Sequence, residues 1–130
     1  MAIKDQLMKF RHLIPMLYTA DINGTIAFYC DVLKFELDEY NADWGWCAMH
    51  NNGAHIMFSL PNEHTPFESG SKFTGSFYIY TEEVDAVWEQ LKTITKVCYD
   101  IADFEHGMRE FAIYDNNGYL LQFGKEIAGK

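Results

Sequence analysis

Cysteine and basic residues are both scarce in this chain. Its 130 residues include 3 cysteines, Cys30, Cys47 and Cys98, which are odd in number and form no CxxC pair. This argues against a disulfide framework and a thiolate zinc site, and it predicts reduced, mostly buried thiols. Only 10 Lys and Arg residues stand against 19 Asp and Glu residues, for a formal net charge of −9. Nucleic acid is not an expected partner, because phosphate binding needs clustered cations.

Long hydrophobic runs are also absent. The longest, such as 13–18, have the length of a strand, whereas a membrane-spanning helix needs about 20 apolar residues. No charged segment followed by an apolar one is present at the N-terminus, so a signal peptide is not indicated. The sequence therefore predicts a cytoplasmic protein without a membrane partner.

Aromatic residues, in contrast, are abundant, with 3 Trp, 8 Tyr and 10 Phe in a chain that is 48% hydrophobic. The length suffices for one domain with a substantial core, or for two half-size modules packed as one unit. Rings in excess of what a small core requires are typical of small-molecule pockets. The acidic net charge is compatible with a cationic ligand, although it is also common on soluble surfaces.

An internal repeat organises the chain. Residues 51–58 (NNGAHIMF) return as 116–123 (NNGYLLQF), and the segment YTADI at Tyr18 returns as YTEEV at Tyr80. The two pairs are 65 and 62 positions apart, so the fold is predicted to be built twice. Duplicated modules are related by a pseudo-twofold axis, which should bring equivalent positions to one shared cleft.

Apolar periodicity predicts the same elements in each copy: a strand, a helix and three further strands. Asp21 is placed to cap the first helix. The single domain divides into module one at about 11–60, a linker rich in Pro, Ser, Gly and Glu at 61–72, and module two at about 73–124. Residues 1–10 are expected to form an arm or a short helix. The predicted strands are 11–18, 35–40, 44–50, 54–60, 73–80, 97–102, 109–114 and 119–124, and the predicted helices about 22–33 and 81–93.

This arrangement resembles the vicinal oxygen chelate superfamily, which includes glyoxalase I, extradiol dioxygenases, fosfomycin-resistance transferases and bleomycin-resistance proteins. The resemblance rests on FYCDVLKF at 28–35, on DNNGY at 115–119 and on GMREFAIYD at 107–115. The last of these is most similar to the glyoxalase-like and bleomycin-resistance branch. The resemblance implies an α+β fold of two tandem βαβββ modules, with curled mixed sheets around a cleft, in a homodimer.

Metal-using members of that superfamily place His, Glu or Gln side chains on the first and last strands of each module. By the resemblance, the four ligand positions in this chain are Ile14, Met57, Ser76 and Gln122. A hydrocarbon, a thioether and a neutral hydroxyl are poor ligands for a hard or borderline divalent ion. We therefore expect no metal cofactor, which puts the metal-dependent activities of the superfamily in doubt.

Alternation along the predicted strands separates a helix-side face from a cleft-side face. The helix-side residues are uniformly apolar, as expected of a face that packs under helices. They are Leu13, Pro15, Leu17, Ile56, Phe58, Leu60, Phe77, Ile79, Leu121 and Phe123. The cleft-side residues are mainly aromatic, thioether, hydroxyl and amide side chains, which suit an organic ligand. The cleft-side candidates for ligand binding are Ile14, Met16, His55, Met57, Ser76, Tyr78 and Gln122.

Two further rings are predicted to complete the cleft. Counting back from the first Asn-Asn-Gly turn places Trp46 opposite Met57. The same count from the second turn places Phe111 opposite Gln122. The two rings should then face each other across the cleft and hold a flat or cationic ligand.

Arg109 and Glu110 precede Phe111 in the same strand. The predicted register turns Arg109 toward the cleft, where it can bind a ligand anion, and turns Glu110 toward the helices, unless a bulge near Gly107 reverses the two. A surface ion pair is the other expectation for Arg109, because exposed charges at strand ends are common.

The sequence thus predicts a metal-independent protein that sequesters or senses a small aromatic compound, with a cation as the favoured ligand. No nucleophile and base pair, nucleotide loop or carboxylate dyad is present, so binding is favoured over catalysis. Two alternatives stay open. One is a metal-dependent lyase or dioxygenase with a displaced metal site at His12, His50 or His55. The other is a structural or regulatory dimer whose groove is filled by protein.

Overall fold

The computed structural model describes residues 8–9, 11–61, 73 and 75–128. Most of the predicted N-terminal arm and nearly all of the predicted linker lie outside these residues. The first half of the chain is an ordered strand-helix-three-strand unit. Its elements are β1 (Met16–Tyr18), α1 (Ile22–Ala27), a π-helical turn (Phe28–Val32), β2 (Glu36–Asn41), β3 (Trp46–Asn51) and β4 (Ala54–Ser59).

The second half repeats this order without the π-helical turn. Each strand lies within a few residues of its predicted position, although β1 and the first strand of this half are shorter at their N-terminal ends than alternation predicts. The elements are β5 (Phe77–Tyr80), α2 (Val84–Leu91), β6 (Lys96–Asp103), β7 (Met108–Tyr114) and β8 (Leu120–Glu126).

Capping and burial explain the helix positions. Asp21 Oδ1 accepts a hydrogen bond from the Gly24 amide at 3.0 Å, which confirms the predicted cap of α1. Val84 and Leu91 form the buried stripe of α2, and Ile94 lies beyond the helix end and is exposed. No helix in the described ranges is both long and apolar enough to cross a membrane.

The strands form two four-stranded mixed sheets, which confirms the predicted α+β fold of tandem βαβββ modules. The orders are β1-β4-β3-β2 and β5-β8-β7-β6, so each sheet has the same topology. In each, the first strand runs parallel to the last strand of its module and the remaining neighbours are antiparallel. The two sheets are therefore pseudo-symmetric copies.

Each sheet has a helix-side face and an opposite face, which we call the open face. Half of the predicted apolar helix-side set is buried in one core shared by both modules, and Leu60, Phe77 and Ile79 pack against that core. Leu13 is 92% exposed, so its predicted place on this face is wrong. Burial of the core supplies the main stabilising free energy of the fold. The buried strand residues of this core are Leu17, Cys47, Met49, Ile56, Phe58, Phe111, Ile113, Leu121 and Phe123.

The predicted pairing across both hairpins is wrong. Trp46 pairs with Ser59 rather than Met57, a slip of two residues that keeps its side chain on the predicted face. Phe111 pairs with Phe123 rather than Gln122, a slip of one residue. A one-residue slip moves every side chain of a strand to the other face.

The second hairpin causes that slip because it is one residue longer than the first. Four residues, 51–54, lie between His50 and its ladder partner His55, whereas five, 115–119, lie between the equivalent pair Tyr114 and Leu120. As a result, β3 and β7 are related by an offset of 64 positions, for example from Ala48 to Ala112, and the strands that follow them by 65.

Hydrogen bonds join the modules where the second hairpin meets α1, a contact that we call the filled seam. The Tyr29 hydroxyl donates to Asp115 Oδ2 at 2.7 Å, and the Tyr119 hydroxyl donates to the Tyr18 carbonyl at 2.8 Å. Asn117 bonds the hydroxyl of Thr25 at 3.1 Å. Tyr119 is almost fully buried, so its ring is part of the core between the modules.

The cysteines are free thiols in the structure, and their burial differs. Cys47 is buried and Cys30 is half-buried, but Cys98 is exposed. The predicted absence of a disulfide framework agrees with this arrangement. The expectation of burial holds for Cys47 and is wrong for Cys98, because Cys98 lies at a bulge of the edge strand β6.

Candidate functional site

Glu110 lies at the centre of a polar network on the open face of the second sheet. Only 3% of its surface is exposed. Its neighbour across the β7–β8 ladder is Gly124. A side chain at Gly124 would collide with the Tyr78 hydroxyl and approach Glu110 Cβ to 3.0 Å. The missing side chain therefore makes the space through which Tyr78 reaches Glu110.

Four side chains form hydrogen bonds with the Glu110 carboxylate, the longest from Gln122 Nε2 to Oε2 at 3.5 Å. The Tyr78 hydroxyl donates to Oε1 at 2.6 Å, and the Tyr99 hydroxyl donates to Oε2. His106 Nε2 lies 3.0 Å from Oε1. Each carboxylate oxygen thus has a donor, as a buried charge requires.

Gln122 and Ser76 extend the network along β8 and toward β5. Gln122 Nε2 donates to the Tyr99 hydroxyl at 2.9 Å, and its Oε1 accepts from Ser76 Oγ at 2.5 Å. Because the hydroxyl of Tyr99 donates to Glu110, each side chain in this series donates to the next, from Ser76 through Gln122 and Tyr99 to the carboxylate. The network therefore fixes the orientation of the Gln122 amide.

The charge of Glu110 sets the protonation of its neighbours. Burial alone raises the pKa of Glu110, but hydrogen bonds from Tyr78, Tyr99 and His106 outweigh it and hold the pKa below its ordinary value. Burial and then the carboxylate raise the pKa of Tyr78 well above its ordinary value. The same two causes, with burial the larger, raise the pKa of Tyr99 to about 12 against a bond from Gln122 that lowers it. At neutral pH the network is one carboxylate with two neutral phenols.

Aromatic rings surround this acid. Tyr78 contacts Tyr80 with ring centroids 5.1 Å apart, and Tyr99 contacts Phe104 at 5.5 Å. Phe104 in turn stacks on His106 at 5.8 Å. These rings are half-buried or exposed, so part of their surface is available to a ligand.

The open face of the first sheet carries a row of imidazoles instead. His55 stacks between His12 and His50, with centroids 5.0 and 5.4 Å apart. His50 Nδ1 also lies 2.8 Å from a carboxylate oxygen of Asp38 on β2. The structure thus gathers the three histidines considered for a displaced metal site, but with their rings stacked rather than pointing to one centre.

The donor set does not fit the divalent ion that the resemblance implies. Ile14 and Met57 belong to the first module, whereas Ser76 and Gln122 are hydrogen-bonded to each other in the second. The rings of the three histidines are stacked, so their nitrogens do not converge on one position. Within the described ranges, no group of three or more His, Cys, Asp or Glu residues is arranged to hold a metal. We therefore derive no chemistry through a metal at these positions.

The other predicted site residues divide between the two open faces. Trp46, Met57 and His55 are half-buried on the first open face, and Met16 beside them is exposed. Ile14 is half-buried and precedes β1. Within the described residues, every hydrogen bond between the two modules lies at the filled seam. No hydrogen bond between these residues therefore links the open face of the first sheet to that of the second.

The predicted positions of Phe111 and Arg109 in the cleft are wrong. Phe111 is fully buried on the helix side, where it stacks on Phe123 with centroids 5.1 Å apart. Arg109 lies on that same side and forms ion pairs with Asp85 at 2.8 Å and Asp103 at 3.0 Å. Its alternative assignment as a surface ion pair is therefore the correct one, and Glu110 takes the open-face position.

Sequence reasoning missed Tyr99, His106 and the orientation of Glu110. The signal for Glu110 is present in the sequence, because the second turn carries one more polar residue than the first. Two bulges in β6, between Val97 and Ala102, hide the face of Tyr99 from simple alternation. His106 lies in the turn before β7, which alternation does not describe.

Comparisons with known proteins agree with this architecture. Residues 9–123 match the family model described as the Glyoxalase/Bleomycin resistance protein/Dioxygenase superfamily. Curated protein sequences gave no significant match.

Solved structures with this fold are similar over almost the whole chain. A protein of unknown function from Agrobacterium tumefaciens is 17% identical with a TM-score of 0.77, over 93% of this chain and 98% of that one. A glyoxalase/bleomycin resistance protein/dioxygenase from Nocardioides is 16% identical with a TM-score of 0.77, over 95% and 89%. A lactoylglutathione lyase from Agrobacterium tumefaciens is 17% identical with a TM-score of 0.69, over 88% and 92%. At these identities the likeness shows the fold alone.

Proposed function

This chain belongs to the glyoxalase/bleomycin resistance protein/dioxygenase superfamily, and we propose that it binds a small aromatic cation without a metal ion. The binding site is the Glu110 network on the open face of the second sheet. The protein acts by sequestering or sensing the compound, because the network contains no nucleophile with an adjacent base. The observation that supports this proposal is a buried carboxylate enclosed by half-exposed rings.

The hydrogen-bond directions favour a ligand that donates. The hydroxyl protons of Tyr78 and Tyr99 are directed to Glu110. Tyr99 already accepts a hydrogen bond from Gln122, so Tyr78 is the phenol that presents its lone pairs to an incoming molecule. The nearby carboxylate makes that surface electronegative. An ammonium, amidinium or guanidinium group satisfies both features, whereas an anion is repelled by the carboxylate.

The rings provide a second reason for a cation. Tyr78, Tyr80, Tyr99 and Phe104 lie next to the acid, and each cation held over such a ring face gains about 0.5–2 kcal/mol. A flat ligand can stack on the same faces. The formal net charge of −9 also raises the encounter rate with cations.

A charge-matched titration tests the proposal. Tryptophan fluorescence and calorimetry should detect binding of aromatic amines or amidines, and not of neutral isosteres, to the purified protein. Glu110→Gln keeps the shape but removes the charge, and it should weaken binding at least about tenfold. Gly124→Ala should do the same by pushing Tyr78 away from Glu110. Glu105→Gln is the matched control, because Glu105 is an exposed acid in the adjacent turn.

The proposal is wrong if cations and neutral isosteres bind equally, or if Glu110→Gln binds as tightly as the parent protein. Equal weakening by Glu105→Gln would assign the effect to general electrostatics rather than to the network. Bleomycin-type glycopeptides belong in the panel because of the family, and their binding is an outcome rather than a premise.

Homodimer formation is part of this proposal. Leu13 and Trp44 are large apolar residues with 92% and 74% of their surfaces exposed. We propose that a second copy of the chain covers them, since obligate interfaces bury apolar surface. Sedimentation at micromolar concentration should give the mass of a dimer, and a monomer would contradict this part.

A further inference from the structure

A cavity of about 370 Å³ lies between the modules on the helix side, away from the Glu110 network. One wall comes from the turn after α1 and from the first hairpin, and the other from β5, α2 and β8. The wall is apolar where Leu33, Phe35, Leu91 and Phe123 meet. Its volume falls within the range of small-molecule sites, about 300–1,000 Å³.

This cavity, which we call the empty seam, occupies the pseudo-symmetric counterpart of the filled seam. Tyr119 at the tip of the second hairpin corresponds to Ala54 in the first, 65 positions earlier. Tyr119 is buried between the modules, whereas Ala54 lines the cavity. The space that a tyrosine fills in one seam is therefore left open by an alanine in the other.

The polar residues that hydrogen-bond across the filled seam are replaced by apolar residues in the empty seam. Tyr29 of the filled seam corresponds to Leu91 of the empty seam, and Thr25 corresponds to Val87, both 62 positions later. Leu91 and Val87 line the cavity and cannot reproduce the hydrogen bonds made by Tyr29 and Thr25. The exchange removes the hydrogen-bonding groups of Tyr29 and Thr25 from this part of the empty seam. The cavity is also lined by the polar residues Asn51, Asn52, Thr81 and Gln90. Its apolar part therefore suits an uncharged ring, and its polar part suits a substituent on that ring.

Two features of the filled seam that bind the Tyr119 side chain are kept in the empty one. The ring of Tyr119 lies 6.3 Å from that of Phe58, whose counterpart Phe123 lines the cavity. The hydroxyl of Tyr119 donates to the carbonyl of Tyr18, whose counterpart Tyr80 also lines the cavity. A ring wall is thus in place, and the repeat points to the Tyr80 carbonyl as the equivalent acceptor for a phenol.

A cation lies at the mouth of the cavity. Lys34 lines it and bonds the carbonyl of Asp31 through Nζ at 2.9 Å. Within the described part of the chain, no carboxylate pairs with Lys34. Asn51 holds this turn in place by donating to the Lys34 carbonyl at 3.2 Å.

We propose that the empty seam is a second binding site, and that it takes a single-ring phenol. The ring occupies the space over Ala54 against Phe123, and the hydroxyl donates to the carbonyl of Tyr80. An acidic substituent on the ring meets Lys34. This site does not depend on the open face or on the function proposed above.

The test uses p-cresol, which is the tyrosine side chain as a free molecule. Ligand-observed NMR and calorimetry on the full chain should show binding with a dissociation constant of about 1 mM or tighter. Toluene, which lacks only the hydroxyl, should bind at least about threefold more weakly. 4-Hydroxyphenylacetate should bind more tightly than p-cresol, and Lys34→Gln should remove that advantage alone.

Ala54→Tyr restores the ring of the filled seam and should weaken p-cresol binding at least about tenfold. Circular dichroism checks that this variant folds, and Ala54→Leu replaces it in the test if it does not. The proposal is overturned if the parent protein does not bind p-cresol at about 10 mM, or if the filled variant binds it equally well.

Glu110→Gln separates this site from the open-face site. It should leave p-cresol binding unchanged while it removes cation binding. Loss of both ligands in this variant would mean that they share the open face, which overturns the second site. Binding of p-cresol without any cation binding would contradict only the function proposed above.

Discussion

The two hairpin tips of this duplicated fold have opposite roles. The tip at 115–119 docks on the first module with a tyrosine, an aspartate and two asparagines, and its ring is buried. The tip at 51–54 faces the second module with an alanine and leaves a cavity. Backbone topology is thus shared by both copies, whereas side-chain exchange decides whether a seam holds the fold together or remains open for a ligand.

Tyr119→Ala should have the largest effect, because it turns the filled seam into an empty one. Removing a buried ring leaves a cavity and costs about 3–5 kcal/mol of the free energy of unfolding. The loss also includes the bond to the Tyr18 carbonyl. Chemical denaturation measures the change. Tyr80→Ala is the control, since 70% of Tyr80 is exposed and its loss should be below about 1 kcal/mol.

Equal losses in the two tyrosine variants would break the comparison, because the filled seam would then contribute no more than an exposed ring. A large loss for Tyr119→Ala accompanied by new p-cresol binding would sharpen it. The engineered cavity would then behave like the natural one.

Tyr29→Phe should have a smaller effect, because it removes only the hydroxyl that Leu91 lacks in the other seam. Asp115 would lose one donor but keep the amides of Asn117 and Tyr119. Loss of one partner of a buried charge costs about 1–3 kcal/mol. Denaturation of the variant should show this loss, and Tyr40→Phe, at a hydroxyl exposed to solvent, should show almost none. A loss as small as that of the control would mean that Asp115 does not need Tyr29.

Glu110→Gln should make stability less dependent on pH. The folded-state pKa of Glu110 lies below its ordinary value of 4.5, so the carboxylate stabilises the fold at pH values above the unfolded pKa. That contribution is lost as the pH falls through the folded pKa. The difference in the free energy of unfolding between parent and variant should therefore shrink as the pH falls from 4.5 through the lower folded-state pKa. If the difference in the free energy of unfolding between parent and variant stayed constant across the acid range, the network would bind the protonated form of Glu110 as well as it binds the carboxylate.

The sequence predicted the framework because alternation and turn residues determine it locally. Leu17, Phe58 and Phe123 lie on the helix side as expected, since each strand keeps one parity from end to end. The capping role of Asp21 is equally local. These features depend on neighbouring residues, which a single sequence shows directly.

The candidate site was harder to predict because it depends on register across a turn. One additional residue in the second hairpin turns Phe111 into the core and Glu110 onto the open face. Tyr99 and His106 join Glu110 from a bulged strand and a turn, where no simple period applies. The empty seam needed the structure as well, because Ala54 shows its significance only beside the buried Tyr119.

Added divalent ions should have the smallest effect on stability, and they test whether either of the two open faces binds a metal. The first carries three stacked imidazoles and the second a carboxylate saturated with hydrogen bonds. Among the residues that the structure describes, neither face points three donors at one position. Because a ligand stabilises only a native state that binds it, Ni, Mn or Zn ions should move the thermal midpoint by less than about 1 °C. His55→Ala, which removes the middle ring of the row, should leave this result unchanged. A rise of several degrees with Zn that disappears in His55→Ala would establish a displaced metal site on the first sheet, and with it the metal-dependent alternative.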